Sequence, residues 1–107
     1  MTYFMVFIET PIFTKLVQTL LTDDEYREFQ TYLADNPEAG PVIKESGGLR
    51  KVRWSQANKG KSGGVRVIYY YVTAASQLKM LLIYPKSEQE NLTDAQLQAL
   101  KAIVERW

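Results

Sequence analysis

The sequence predicts an α+β domain of order β-α-α-β-β-β-α, with a mainly antiparallel sheet packed by helices. Three observations carry that expectation. Threonine opens three separate helical patterns, at Thr10, Thr22 and Thr93, and its hydroxyl is suited to capping the N–H groups of a first turn. Runs rich in β-branched and aromatic residues occupy 3–8, 49–54, 65–72 and 78–84, the composition of strands that pack on both faces. The chain has 107 residues, 46% of them hydrophobic and 23% charged, which suits one compact domain over 1–107 and is too short for two.

Taken in order, residues 3–8 read as a buried first strand. Thr10 then caps a helix with Pro11 at its first position, where the missing N–H is no loss. Ile12, Phe13, Leu16, Val17, Leu20 and Leu21 recur behind it at helical spacing. Thr22 and Glu25 form a capping box, framed by Leu21 and Tyr26 as a hydrophobic staple, so a second helix follows directly. It runs through Phe29 and Leu33 and stops at Asn36-Pro37, because proline pushes the preceding residue out of helical geometry. Residues 36–48 read as a loop. Strands follow at 49–54, 65–72 and 78–84, with a Gly- and Lys-rich connector at 56–64 and a short hairpin turn at 73–77. Thr93 and Gln96 make the last capping box, with Leu92 and Leu97 as its staple. The final helix presents Leu97, Leu100, Val104 and Trp107 as one apolar stripe.

Composition narrows the chemistry. The chain contains no cysteine and no histidine, which excludes thiol nucleophiles, disulfides, Cys/His zinc sites and imidazole bases. No metal ligand set and no cofactor are expected. No apolar stretch approaches the roughly 20 residues of a membrane span, and the N-terminus lacks a secretory signature, so a cytoplasmic protein is expected. The formal net charge of +1 conceals a segregated distribution. Residues 1–43 carry two basic against seven acidic residues, whereas 44–66 carry seven basic residues against Glu45 alone. Such a basic stripe is the footprint of a polyanion partner, nucleic acid above all.

Strand alternation places these charges. Lys51 and Arg53 project to one side of their strand, with Arg50 and Trp54 on the other. Arg66 shares a face with Ile68 and Tyr70, opposite Val65, Val67, Tyr69 and Tyr71, so the sheet is expected to be covered on both sides. In an antiparallel meander Arg53, Arg66, Tyr84 and Lys86 converge near one end. That set suits RNA cleavage, because RNA brings its own nucleophile, the 2′-hydroxyl. The arginine fork donates two parallel bonds to a phosphate. A crowded lysine with a lowered pKa is suited to proton transfer, and tyrosine to stacking or proton transfer. Tyr69, Tyr70, Tyr71, Trp54 and Trp107 read as packing residues. The carboxylates Asp23-Asp24 read as helix-start charge, and Glu88 and Glu90 as a solvated turn.

The strings GGLRKVRW, NKGKSGGVRVIYYY and LLIYPKSE resemble RelE/HigB-type toxins of bacterial type II toxin–antitoxin systems, the HigB branch above all. The similarity covers essentially the whole chain, including the LTDAQ start of the last helix. It implies a RelE-like fold and a ribosome-dependent endoribonuclease that cuts mRNA in the A site. It also implies neutralisation by a cognate antitoxin, expected to be a HigA-like helix-turn-helix protein. Arg53 matches the family's basic position at the end of the second strand, and Arg66 the arginine that holds the scissile phosphate. Tyr84 and Lys86 match active positions at the end of the last strand. Arg50, Lys51, Lys59 and Lys61 are the expected RNA- or ribosome-binding residues. Some relatives use a histidine or a C-terminal tyrosine for proton transfer, and this chain has neither after Tyr84. Two other functions compete: a ParE-like gyrase poison of the same fold, and a non-catalytic RNA- or protein-binding module.

Overall fold

The computed structural model describes residues 4–55 and 64–107. Among them, strand β1 (Val6–Glu9) leads into helices α1 (Pro11–Leu20) and α2 (Asp23–Asp35). Strands β2 (Arg50–Trp54), β3 (Val65–Val72) and β4 (Gln77–Pro85) follow, and helix α3 (Asp94–Arg106) closes the order. This is the expected β-α-α-β-β-β-α succession. The strands form one mixed sheet in the order β1-β4-β3-β2, with both β2–β3 and β3–β4 antiparallel and β1 parallel to β4.

The helix starts are set by local chemistry. Thr10 Oγ1 accepts the Phe13 N–H at 3.1 Å, and both capping boxes close in each direction, Thr22 with Glu25 and Thr93 with Gln96. The first strand departs from expectation. Among the described residues it begins at Val6, with Tyr3 lying outside them, and it is an edge strand with exposed and partly exposed side chains rather than a buried one. Pairing with the β4 edge limits it to the four residues opposite Gln77, Leu78, Lys79 and Met80.

The sheet is covered on both faces. On one, Phe13 and Val17 of α1 and Phe29 and Leu33 of α2 pack with Val52, Val67, Tyr69, Leu78, Met80 and Ile83. On the other, Leu97, Leu100 and Val104 of α3 pack with Leu49, Ile68, Leu81 and Tyr84. Fully burying one such aliphatic or aromatic side chain stabilises the fold by about 1.5–3 kcal/mol. The loop before β2 is pinned by Gly40, whose N–H donates to the Tyr69 hydroxyl at 3.0 Å while that hydroxyl donates to Pro37 O at 2.7 Å. A Cβ at Gly40 would stand 2.7 Å from the Lys51 carbonyl oxygen, so no larger residue fits there without moving backbone.

One irregularity decides where the end of β4 points. Ile68 faces Leu82 but Tyr69 faces Met80, leaving Leu81 as an extra residue on β4. A bulge of this kind re-aims the side chains beyond it. Leu81 and Leu82 both turn toward α3, and from there the alternation is inverted. Ile83 enters the α1/α2 core and Tyr84 the α3 face.

Candidate active site

Arg53 faces Arg66 across β2–β3, and Arg66 faces Tyr84 across β3–β4, so the three form a single row over neighbouring strands. The row lies on the α3 face, at the end of the sheet where β4 leaves it. Arg66 is 4% exposed. Two guanidinium groups side by side on adjacent strands repel each other, and the loop between β4 and α3 supplies the counter-charge. Arg66 Nη2 donates to Glu90 Oε2 at 2.9 Å and to Oε1 at 3.3 Å, and Arg53 Nη2 donates to Oε1 at 3.0 Å. The backbone of the same loop is held as well. Tyr84 Oη and Lys51 Nζ each donate to the Glu90 carbonyl at 3.3 Å, and Lys51 Nζ donates to Asn91 Oδ1 at 2.7 Å.

The electrostatics follow from these contacts. The hydrogen bond from Arg66, supported by the charges of Arg66, Arg53 and Lys51, holds the Glu90 carboxyl below the ordinary carboxylate value against an opposing effect of desolvation. Burial pushes the Tyr84 phenol above its ordinary value, with Arg66 pulling down and Glu90 adding to the rise. Near neutral pH Tyr84 is therefore a proton donor, not a base. Together the groups make a compact cationic seat with a phenol beside it, suited to an oxyanion or a phosphoryl group.

Of the sequence-derived candidates, the structure brings Arg53, Arg66, Tyr84 and Lys51 together. It does not bring Arg50, which lies on the opposite face of β2 and donates to the carbonyls of Gly40 at 2.8 Å and Glu38 at 3.4 Å. Lys86 is exposed in the turn after β4. Its backbone N–H donates to Gly64 O at 3.0 Å, and among the described residues its side chain takes no part in the Glu90 contacts. Lys59 and Lys61 lie outside the described residues. Glu90 and Asn91 were not among the candidates; Glu90 is exposed in its turn as expected, but the reading did not include its two arginine partners. No sequence spacing marks it, because the loop reaches the row only through the path of β4 and the cap of α3. Among the described residues no group of three or more Asp, Glu, His or Cys is placed to hold a metal, and no helix is long and apolar enough to cross a membrane.

The fold is that of a RelE-type toxin. A mutant of the E. coli toxin RelE in the free state, with two arginines replaced by alanine, superposes with a TM-score of 0.62 at 10% sequence identity, covering 94% of this chain and 96% of that one. Residues 38–107, which contain the whole row and the Glu90 loop, match the family described as the RelE toxin of the RelE/RelB toxin–antitoxin system. The chain belongs to the RelE toxin family.

Proposed function

We propose that this chain is the toxin of a type II toxin–antitoxin system and cleaves mRNA on the ribosome through the RNA's own 2′-hydroxyl. The observation that supports this best is the Arg53–Arg66–Tyr84 row, with two guanidinium groups converging on one anion and a protonated phenol adjacent. In this reading Arg53 and Arg66 hold the scissile phosphate and stabilise the charge that builds on its oxygens. The 2′-oxygen bonds to phosphorus, the bond from phosphorus to the 5′-oxygen breaks, and Tyr84 gives its proton to the departing oxygen. The products are a 2′,3′-cyclic phosphate and a 5′-hydroxyl. The 2′ proton passes to a solvent water, because the Tyr84 phenol, raised by burial, is already protonated. Lys51 and Lys86 contact flanking phosphates at the rim, with Lys59 and Lys61 on the connector. The proposal includes the HigB branch, from the GLRK and IYY strings, and a HigA-like helix-turn-helix antitoxin as partner in the cytoplasm.

Induced expression without antitoxin should arrest growth, with transcripts cut within A-site codons in a translation extract. Arg66→Ala should abolish both while the protein stays folded and still binds its antitoxin. Intact transcripts during arrest, together with loss of gyrase supercoiling, would replace this reading with the gyrase poison. Intact transcripts and intact supercoiling would leave the binding module.

A further inference from the structure

The anion between Arg53 and Arg66 belongs to the protein itself. Three features show that Glu90 satisfies this seat only in part. Arg66 is buried, yet among the described residues its Nε–H has no acceptor, and its Nη1 reaches only the Val65 carbonyl at 3.5 Å. Both Glu90 oxygens crowd onto the single Nη2 of Arg66 rather than spreading over the Nε–Nη2 edge that a fork-to-fork pair uses. The Glu90 side chain is 43% exposed, whereas its backbone is held independently by Tyr84 and Lys51. The carboxylate can therefore rotate into water while its loop stays in place.

We infer that Glu90 is a resident anion that keeps Arg53 and Arg66 aligned in the empty site and must be displaced by the incoming phosphate, so that it competes with substrate for the same seat. The inference rests on the reading of that seat as a phosphate site. A tetrahedral phosphate offers oxygens to Nε and Nη2 of Arg66 and to Arg53 at once, which the planar carboxylate does not achieve from its loop. Glu90 thereby acts as a positioning residue that lowers the affinity of the seat for any incoming phosphate.

Inorganic phosphate and a short 2′-O-methyl oligoribonucleotide, which cannot cleave, are the probes. Glu90→Gln should bind both about tenfold more tightly than the wild type, the low end of what losing one nearby competing charge is worth. Phosphate should also raise the melting temperature of Glu90→Gln more than that of the wild type, since a ligand at free concentration L stabilises by RT ln(1 + L/Kd), which grows as Kd falls. Glu90→Asp keeps the charge on a shorter arm and should fall between the two; it carries the test where the glutamine variant does not fold. Equal or weaker binding by the variants would overturn the inference. Tighter phosphate binding by a protein that cuts no RNA would uphold the seat and overturn the proposed function, so the two failures are distinguishable.

Discussion

The two faces of the sheet end differently at the same edge. On the α1/α2 face the end of β2 is closed by rings. Trp54 packs edge-on against Phe29 with centroids 5.3 Å apart and against Tyr32 at 5.5 Å, and Phe29 stacks on Tyr26. On the α3 face the apolar cover runs out at Leu92, Leu97 and Tyr84, and one residue away from Trp54 the same strand presents Arg53 to Glu90. Adjacent positions of one strand thus serve opposite purposes. Where a helix reaches the end of the sheet, hydrophobic packing closes it; where the helix begins late, charged groups held by a loop take its place. The site is the part of the sheet that α3 leaves uncovered.

Removing a ring from the closed side should have the largest effect. Phe29 is fully buried, and Phe29→Ala should cost about 3–5 kcal/mol of stability, read as a lowered midpoint in denaturant unfolding. A loss under 1 kcal/mol, on the order of a surface substitution, would break the claim that packing alone closes this face. The counterpart on the open side is Arg66→Ala. It should lower RNA cleavage by about 100- to 1000-fold, the usual effect of removing one donor from an oxyanion site, while far-ultraviolet circular dichroism stays that of the wild type. A variant that cleaves normally would show that the buried arginine serves only the fold.

Much of this was legible beforehand, for identifiable reasons. The helix starts at Thr22 and Thr93 were readable because a capping box is decided within four residues. The split of Arg53 from Trp54 followed from strand alternation, and the convergence of Arg53 and Arg66 near one end from the antiparallel order, while their direct pairing is set by the register of the strands. The bulge at Leu81 was not readable. Leu81 and Leu82 are equally apolar, so nothing local says that both turn toward α3, and without that extra residue simple alternation would send Tyr84 to the face of Leu78 and Met80. Glu90 was illegible for a related reason. Its role depends on where β4 ends and α3 begins in space, and by composition its loop resembles any polar turn. Arg50 illustrates the converse, a basic residue inside the basic stripe that the fold turns to its own loop carbonyls.

A smaller effect tests how the open side is held. Thr93→Ala removes the cap of α3 and should cost about 1 kcal/mol, measured as a shift in unfolding midpoint. Gln96, the other half of that box, also accepts from Gln89 Nε2 at 2.8 Å. Loss of the cap should therefore loosen the Glu90 loop and weaken binding of the 2′-O-methyl oligoribonucleotide. Thr22→Ala should cost a similar amount without changing that binding, since α2 closes the other face. Equal effects of the two substitutions on binding would show that the loop is positioned by the strands alone.

The finest distinction between the faces is in their response to acid. The α1/α2 face is closed near this edge by the packing of Trp54 on Phe29 and Tyr32, whereas the open side depends on an ionised Glu90. Its carboxyl is depressed in the folded protein, first by the Arg66 hydrogen bond and then by the charges of Arg66, Arg53 and Lys51. A depressed carboxyl binds its proton more weakly when folded than when unfolded. The stability it adds is therefore complete above the ordinary glutamate value of about 4.3 and is lost as pH falls through the lower folded value. Melting temperatures followed from neutral pH into that range should fall less steeply for Glu90→Gln than for the wild type. In Phe29→Ala the whole curve should be lower with the acid slope of the wild type. An acid slope in Glu90→Gln equal to that of the wild type would mean that the guanidinium pair gains nothing from the charge on Glu90, and the contrast between the two faces would reduce to packing alone.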